Sequence, residues 1–148
     1  MAIDYSKWDN KYKVSSDDVK SIEKNNKKDF DKVPYGEYEV SIKKLELISN
    51  SNDDPMVVCW FKILDGKYKN SMIFMNQVVT QDFQIHIIDE FLRSLGTDVN
   101  VEFDSYSQYA EMILDIFEAI DGKFEYGLVL GENKGFKTYK ITDVFELD

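Results

Sequence analysis

Hydrophobic and polar residues alternate along three consecutive runs, and a helical spacing of apolar residues follows directly. The alternating runs are GEYEVSIKKLELI (36–48), MVVCWFKIL (56–64) and KYKNSMIFMNQVV (67–79), and the helical run is QDFQIHIIDEFLRSLG (81–96). Alternation is typical of a half-buried strand, and a period near 3.6 residues is typical of an amphipathic helix. A second helical run, SYSQYAEMILDIFEAIDG, precedes two last strands in KFEYGLVLGENKGFKTYKITDVFEL. The pattern therefore predicts three strands, two helices and two strands.

This order matches that of an OB-fold barrel with an elaborated connection between the third and fourth strands. We predict a mainly β fold with two helices, in the form of a five-stranded OB-fold-like barrel (β-β-β-α-α-β-β). It occupies residues 35–148, with the helical insertion at about 81–121. Residues 1–34 are polar and lysine-rich, which predicts an N-terminal arm. Tyr5, Trp8 and Tyr12 of this arm are expected to dock onto the domain, with base stacking as the alternative.

Local patterns refine the strands. The alternation of the first strand changes phase at Lys43-Lys44, which predicts a β-bulge. Asp65-Gly66 predicts a hairpin turn between the second and third strands, and Asn133-Lys134-Gly135 predicts the turn of the last hairpin.

The second strand is apolar on both faces, so alternation alone leaves its buried face undecided. One face carries Val57, Cys59, Phe61 and Ile63, and the other carries Met56, Val58, Trp60 and Lys62. Trp60 followed by Lys62 on one face favours a binding surface, with a buried tryptophan as the alternative.

The helical runs each predict an apolar stripe. In the first, Phe83, Ile87, Phe91 and Leu95 share one face with Ile88 and Leu92 beside it, and Gly96 is a candidate C-terminal stop. In the second, the stripe consists of Tyr109, Met112, Ile113, Ile116, Phe117 and Ile120, and Gly122 ends the helix. Asp115 and Glu118 are expected on its solvent side.

The formal net charge of −10 is distributed unevenly. Residues 81–121 contain ten acidic residues and one arginine, whereas the remaining segments are close to neutral. The acidic helices would keep the domain soluble, and the near-neutral strands could present a locally basic groove. Acidic composition also suits a protein-binding module or a mimic of nucleic acid.

The cysteine content and the hydropathy pattern bear on the compartment. A single cysteine, Cys59, excludes an internal disulfide framework and suggests a buried thiol in a reducing compartment. The N-terminus lacks the apolar core of a signal peptide, and no run of about 18 apolar residues occurs, so we expect a cytosolic protein without a membrane partner.

Catalytic patterns are weak in this sequence. His86 and Cys59 are the only residues of their types, so a zinc site of the usual multiplicity is excluded within one chain. His86 is interpreted as a structural residue on a helix. Neither a nucleophile elbow nor a phosphate-binding loop occurs. The acidic pairs Asp53-Asp54 and Asp89-Glu90 could in principle hold Mg²⁺ for a nuclease, but solvated charge is the ordinary interpretation. We therefore expect no enzyme activity, no cofactor and no metal.

The strands combine aromatic and basic residues, which is the combination that binds single-stranded nucleic acid by base stacking and phosphate contacts. Trp60 and Phe74 are candidates for stacking on adjacent strands, and each is about as compatible with the core. The candidate nucleic-acid-binding residues are Trp60, Phe74, Lys43, Lys62, Tyr68, Lys69, Asn76, Lys134, Phe136 and Lys140.

Most of the chain resembles a class of small bacteriophage proteins of a domain-of-unknown-function family. The resemblance lies in MAIDYSKWD, VPYGEYEVSIKKLEL, DPMVVCWFKILDGKYKNSMIFMNQVVTQ, FQIHIIDEFLRSL, SYSQYAEMILDIFEAIDGKFEYGL and KGFKTYKITDVFEL. Those proteins are regarded as single-stranded-DNA-binding proteins of replication and recombination modules. The resemblance implies an OB-fold that coats single-stranded DNA with little sequence preference, in the cytoplasm of an infected bacterium.

Partners follow from the same resemblance. The resemblance implies single-stranded DNA as the partner, with phage or host replication and recombination proteins and further copies of the chain as candidate partners. Bacterial single-stranded-DNA-binding proteins end in an acidic, apolar tail that recruits partners, and residues 143–148 share that composition without a long linker before them. Two other functions remain open, namely an acidic inhibitor or adaptor that binds a host protein through residues 82–121, and a small nuclease.

Overall fold

The computed structural model describes residues 33–147. Five strands and two helices follow one another in the order β1-β2-β3-α1-α2-β4-β5. Their bounds are β1 Gly36–Ser49, β2 Pro55–Ile63, β3 Met72–Val78, α1 Asp82–Arg93, α2 Tyr106–Ile120, β4 Phe124–Asn133 and β5 Phe136–Glu146. The prediction of a mainly β fold with two helices is confirmed.

The strands form one sheet in the order β3-β2-β1-β4-β5, and every neighbouring pair is antiparallel. The sheet is open, because β3 and β5 are its two edges and no strand pairing joins them among residues 33–147. A closed five-stranded barrel is therefore not confirmed. The predicted bulge is present, since the β1–β2 register shifts between Ile42 and Lys44.

One face of the sheet, here called the inner face, carries the core. On β2 the inner residues are Val57, Cys59, Phe61 and Ile63, all fully buried. Their neighbours on β1 and β4, including Val40, Leu45, Tyr126 and Leu128, are also buried. Burial raises the pKa of the Cys59 thiol well above its ordinary value. The structure thus decides the question that alternation left open on β2 and places Trp60 on the opposite, outer face.

Both helices pack on the inner side. Phe91 of α1 lies edge-on to Phe61, with 6.0 Å between ring centroids, and the Tyr109 hydroxyl of α2 donates a hydrogen bond of 2.6 Å to Asp89 of α1. Helix α2 packs against β1. Its predicted apolar stripe is confirmed, with Phe117 only half-buried, and Asp115 and Glu118 are exposed as expected.

The predicted stripe of α1 is partly wrong. Phe83 and Ile87 are 59% and 50% exposed, whereas Ile88, Phe91, Leu92 and Leu95 are buried. Because 3.6 residues make a turn, a stripe centred on Ile88 and Leu92 turns Phe83 and Ile87 away from the sheet. His86 is exposed on the same helix. Gly96 follows α1 with φ of 75°, a left-handed conformation that suits a glycine after the helix.

Strands β2 and β3 form the hairpin that Asp65-Gly66 predicts, but their connection is longer than a two-residue turn. Strand β3 begins only at Met72, and residues 64–71 form a longer loop. The loop is closed by main-chain hydrogen bonds from Asn70 to Ile63 and from Ser71 to Tyr68, of 2.8 and 2.9 Å. The positive φ angles of Gly66 and Asn70, 84° and 72°, show that two left-handed residues are needed to close it.

The structure bears on the prediction for the C-terminal end of the chain but not on that for the N-terminal arm. The predicted arm, with Tyr5, Trp8 and Tyr12, lies outside the described residues. At the other end, Asp143 to Glu146 belong to β5 and pair with β4, and the Leu147 amide donates to Lys123 O at 2.8 Å. Residues 143–147 are thus part of the sheet rather than a free tail.

Candidate nucleic-acid interface

Trp60 and Phe74 are direct cross-strand partners on the outer face. Cys59 and Phe61 point into the core, so the alternation of β2 turns Trp60 outward, and the β2–β3 register places Phe74 opposite it. Their ring centroids are 5.4 Å apart with an interplanar angle of 90°. Trp60 is 36% exposed, so part of the indole is accessible on the outer face. The predicted juxtaposition of the two rings is observed.

Lys44 flanks Trp60 from the other side. The bulge in β1 puts Lys44 opposite Trp60 in the register, and the Lys44 Nζ lies 4.4 Å from the centroid of the indole. The same ammonium pairs with Glu46 Oε1 at 3.1 Å. A cation over the face of a tryptophan is attracted by the ring quadrupole. The sequence analysis predicted Lys43, rather than Lys44, as a nucleic-acid-binding residue. Lys43 is exposed but has no register partner on β2.

Lys62 and Asn76 complete this part of the outer face. Lys62 pairs with Ser41 of β1 and Met72 of β3, and Asn76 pairs with Val58, which places both side chains on the same face as Trp60. The Ser41 Oγ beside Lys62 is buried and lacks a hydrogen-bond partner within residues 33–147. The residues of the outer face that we call the platform are Lys44, Trp60, Lys62, Phe74 and Asn76.

Tyr68 and Lys69 belong to the 64–71 loop rather than to a strand. The Tyr68 ring lies 6.3 Å from the Tyr38 ring at 82°, and the Lys67 Nζ lies 5.7 Å from the Tyr68 centroid. Tyr38 in turn donates a hydrogen bond to the main-chain oxygen of Pro34. Burial, followed by the neighbouring Tyr68, raises the pKa of Tyr38. Tyr68 thus lies in an organised aromatic contact beyond the end of β2.

The three remaining candidates lie on the β4–β5 hairpin. Lys134 and Gly135 form its two-residue turn with φ of 53° and 84°, as expected for the predicted hairpin. Phe136 is 77% exposed at the start of β5, and Lys140 is exposed opposite Val129. Strand pairing does not join these residues to the platform, because β5 and β3 are opposite edges of the sheet.

Acidic residues concentrate on the other side of the molecule. Asp115 and Glu118 are exposed on α2, and both helices pack against the inner face. Within residues 33–147 the ion pairs are Lys44–Glu46 and Glu90–Arg93. The platform combines Lys44 and Lys62 with the neighbouring Glu46, whereas the exposed Asp115 and Glu118 of α2 are acidic.

The acidic pairs considered for a nuclease have local structural roles. Asp53 accepts a hydrogen bond of 2.7 Å from Ser49 Oγ, Asp89 accepts one from Tyr109, and Glu90 pairs with Arg93. In the part of the chain that the structure describes, no three histidine, cysteine or acidic side chains lie close enough to hold a metal ion. None of its helices is long and apolar enough to cross a membrane.

The domain belongs to the class of mainly β proteins with two helices. Its open antiparallel sheet has the two helices on the inner face and the aromatic and lysine-bearing platform on the outer face. The family described as Protein of unknown function (DUF669) matches residues 20–119, which include β1, β2, β3, α1 and most of α2. The chain belongs to this family. No curated protein matches the sequence.

Proposed function

We propose that the protein binds single-stranded DNA without strong sequence preference. The observation that carries the proposal is the platform, where a partly exposed Trp60 lies between Lys44 and Phe74 on the outer face of the sheet. Aromatic rings bind bases in a sequence-tolerant way because every base has a π face, and lysines neutralise the phosphates. Both components are present on neighbouring strands.

The contacts around Trp60 support the following order of events in this proposal. Lys44 covers one face of the indole and Glu46 holds its ammonium, so a base that stacks on Trp60 displaces Lys44 from the ring. The displaced ammonium can then exchange Glu46 for a phosphate oxygen. Lys62 contacts a second phosphate, and Asn76 offers hydrogen-bonding groups to a base edge. Lys43, Lys69, Lys134, Phe136 and Lys140 extend the electropositive and aromatic surface in this proposal.

We also propose that the domain is an OB-fold-like barrel whose closure is made by side chains. The order of the elements and the sheet order β3-β2-β1-β4-β5 support it. So does the Tyr139 hydroxyl of β5, which donates a hydrogen bond of 2.9 Å to the Phe74 main-chain oxygen of β3. Phe61 packs against Tyr139 of β5 and against Phe91 of α1, which supports closure by side chains on the inner side.

In this proposal the protein is not an enzyme and needs no cofactor. Following the resemblance described above, it acts on bacteriophage DNA during replication and recombination, in the cytoplasm of the bacterial host. There it meets replication and recombination proteins or further copies of itself.

A gel-shift series with single-stranded DNA, duplex DNA and single-stranded RNA of one length tests the proposal. We expect the single strands to shift at micromolar protein or below in low salt, and the duplex to shift much more weakly. Trp60→Ala should lose most of this affinity. Leu114→Ala, which removes an exposed apolar side chain from α2, is the matched control and should bind as the unmodified protein does. Absence of a shift with every single strand would refute the function.

A second candidate function uses the acidic helices to bind a basic surface of another protein. Exposed Asp115 and Glu118, which have no ion-pair partner among the described residues, favour it. Reversal of both charges to lysine would abolish that activity and leave DNA binding intact or stronger. The same pair of substitutions therefore separates the two functions.

A further inference from the structure

The environment of Trp60 recurs around Tyr68. Trp60 has an edge-on aromatic neighbour, Phe74, at 90°, and a lysine ammonium 4.4 Å from its ring centroid. Tyr68 has an edge-on neighbour, Tyr38, at 82°, and the ammonium of Lys67 lies 5.7 Å from its ring centroid. Each arrangement combines a ring braced by another ring with a cation that a phosphate can attract away. These are the two components of a stacking site for single strands.

The last residues of β2 connect the two arrangements along the chain. From Trp60, β2 runs three residues to Ile63, which is about 10 Å of strand at ~3.4 Å per residue. Lys62 lies between them on the outer face, and the 64–71 loop starts directly after Ile63. Tyr38, which braces Tyr68, pairs with the buried Leu128 and so lies on the inner side of the sheet. A strand that leaves the platform past Lys62 therefore has to pass round the end of β2 to reach Tyr68.

Main-chain hydrogen bonds hold the loop in place. Leu64 N donates to Glu39 O of β1 at 2.8 Å, and Lys69 N donates to Gly66 O at 3.2 Å. Together with the closing bonds at Asn70 and Ser71, they fix the main chain of the loop, and the Tyr38 ring packs against the Tyr68 side chain. A preorganised aromatic side chain costs less conformational entropy on binding than a mobile one.

The charge of the loop suits an anionic strand. The loop contains two lysines, Lys67 and Lys69, and one acidic residue, Asp65. Neither lysine takes part in an ion pair within residues 33–147. The β4–β5 turn lies beyond the same end of β1, since Gly36 pairs with Leu130 and Val40 pairs with Ile63. Lys134 therefore adds a further cation at this end of the sheet.

We infer that Tyr68, with Lys67 and Lys69, is a second stacking subsite for nucleotides of the same single strand that occupies the platform. This inference rests on the proposed function. The occupant is the continuation of the DNA strand past Lys62, and the subsite adds affinity only when the strand is long enough to reach the loop.

A length series of oligo-dT from about 4 to about 16 nucleotides tests the inference, since OB-folds occupy sites of that range. In the unmodified protein, affinity should increase as the strand lengthens from the platform to the loop. Tyr68→Ala should leave the Kd of the shortest bound strand within about twofold and weaken the longest by about 5- to 150-fold, the effect of losing one stacked base. Tyr68→Phe keeps the ring and should bind long strands normally.

Two further variants test the subsite without removing the Tyr68 ring, in case Tyr68→Ala does not fold. Lys67→Glu with Lys69→Glu retains the Tyr68 ring and should also weaken only the long strands. Phe83→Ala, which removes an exposed aromatic side chain from α1, should change neither. Equal affinity of the unmodified and Tyr68→Ala proteins for long strands, or an equal loss for short and long strands, would overturn the second subsite. Failure of the unmodified protein to bind any length would instead refute the proposed function.

Discussion

The Tyr139 hydroxyl donates a hydrogen bond of 2.9 Å to the main-chain oxygen of Phe74, and this contact connects the two edge strands of the sheet. The Tyr139 ring lies against Phe61, with centroids 6.1 Å apart and planes 13° from parallel. Burial, followed by Tyr35 and then Cys59, raises the pKa of the Tyr139 phenol. Because Phe74 is also the cross-strand partner of Trp60, this contact holds β3, which contributes Phe74 and Asn76 to the platform.

Replacing Tyr139 separates the hydrogen bond from the stacking. Tyr139→Phe keeps the ring on Phe61 and should lower the free energy of unfolding by about 0.5–1.5 kcal/mol, the usual value of one hydrogen bond. Tyr139→Ala also removes the ring, and a cost of about 3–5 kcal/mol is expected for a large aromatic residue. Urea unfolding measures both. Equal stability of the unmodified protein and Tyr139→Phe would show that the bond between β5 and β3 contributes nothing.

Lys44 and Glu46 should have opposite effects on DNA affinity. Lys44→Ala removes the ammonium over Trp60, so affinity should fall, and the slope of log K against log salt should become shallower by about 0.7 for one lost phosphate contact. Glu46→Gln releases Lys44 from its carboxylate and should raise affinity at low salt. Titrations of oligo-dT at several salt concentrations measure both effects.

Lys123→Ala is the matched control for Lys44→Ala. It removes one exposed positive charge at the end of α2, away from the platform, and changes net charge equally. A salt slope that changes as much in Lys123→Ala as in Lys44→Ala would mean that only net charge matters. A fall in affinity with Glu46→Gln would contradict the competition between Glu46 and phosphate.

Stability should decrease in alkali in a way that depends on Tyr109. Burial, then the hydrogen bond and charge of Asp89, raise the pKa of the Tyr109 phenol far above its ordinary value of 10.0, and Arg93 opposes them. The unfolded chain therefore loses this proton first. The stabilisation is complete below about pH 10 and decreases above it by at most about 1.4 kcal/mol per pH unit for one phenol.

Tyr109→Phe isolates this group from the other tyrosines. Near neutral pH it should be less stable by about 1.5–3 kcal/mol, because a hydrogen bond to a carboxylate is lost. Denaturant unfolding measured in steps above pH 10 should show the difference from the unmodified protein shrinking. A difference that stays constant with pH would contradict the raised pKa of Tyr109.

Charge reversal on α2 should spare DNA binding if the platform is the site. Asp115→Lys with Glu118→Lys changes net charge by four on the side of the sheet opposite Trp60, so affinity for oligo-dT should stay equal or increase through long-range attraction. Fluorescence anisotropy of labelled oligo-dT measures it. A large loss of affinity would place the DNA on the helices instead.

The sequence was sufficient for elements whose pattern is local. Alternation located β1 and its bulge at Lys43-Lys44, and apolar spacing located α2 with its stripe. The choice between Lys43 and Lys44 depended on how the bulge is accommodated, which is a property of pairing with β2. The exposure of Phe83 and Ile87 likewise depends on the orientation of α1 relative to Phe61, and helical periodicity alone gave a stripe rotated by part of a turn.

The sequence was less informative about whether the sheet closes into a barrel. The order of the elements suggested a barrel, but local patterns do not determine whether the edge strands β3 and β5 pair. The contact that the structure shows between them is the hydrogen bond from Tyr139 to Phe74. The ring contact between Tyr68 and Tyr38 could not be predicted from the sequence either. The loop that brings the two rings together is longer than the expected turn at Asp65-Gly66, and Asn70 with positive φ helps to close it.

The central claim is that single-stranded DNA binds on the Trp60 platform. The chain has two tryptophans, so Trp8→Phe leaves Trp60 as the only indole. Titration of this variant with oligo-dT in low salt should quench its fluorescence in a saturable manner, and added salt should reverse the quenching. Saturable DNA binding that leaves Trp60 fluorescence unchanged would contradict the platform, and the absence of binding would contradict the function itself.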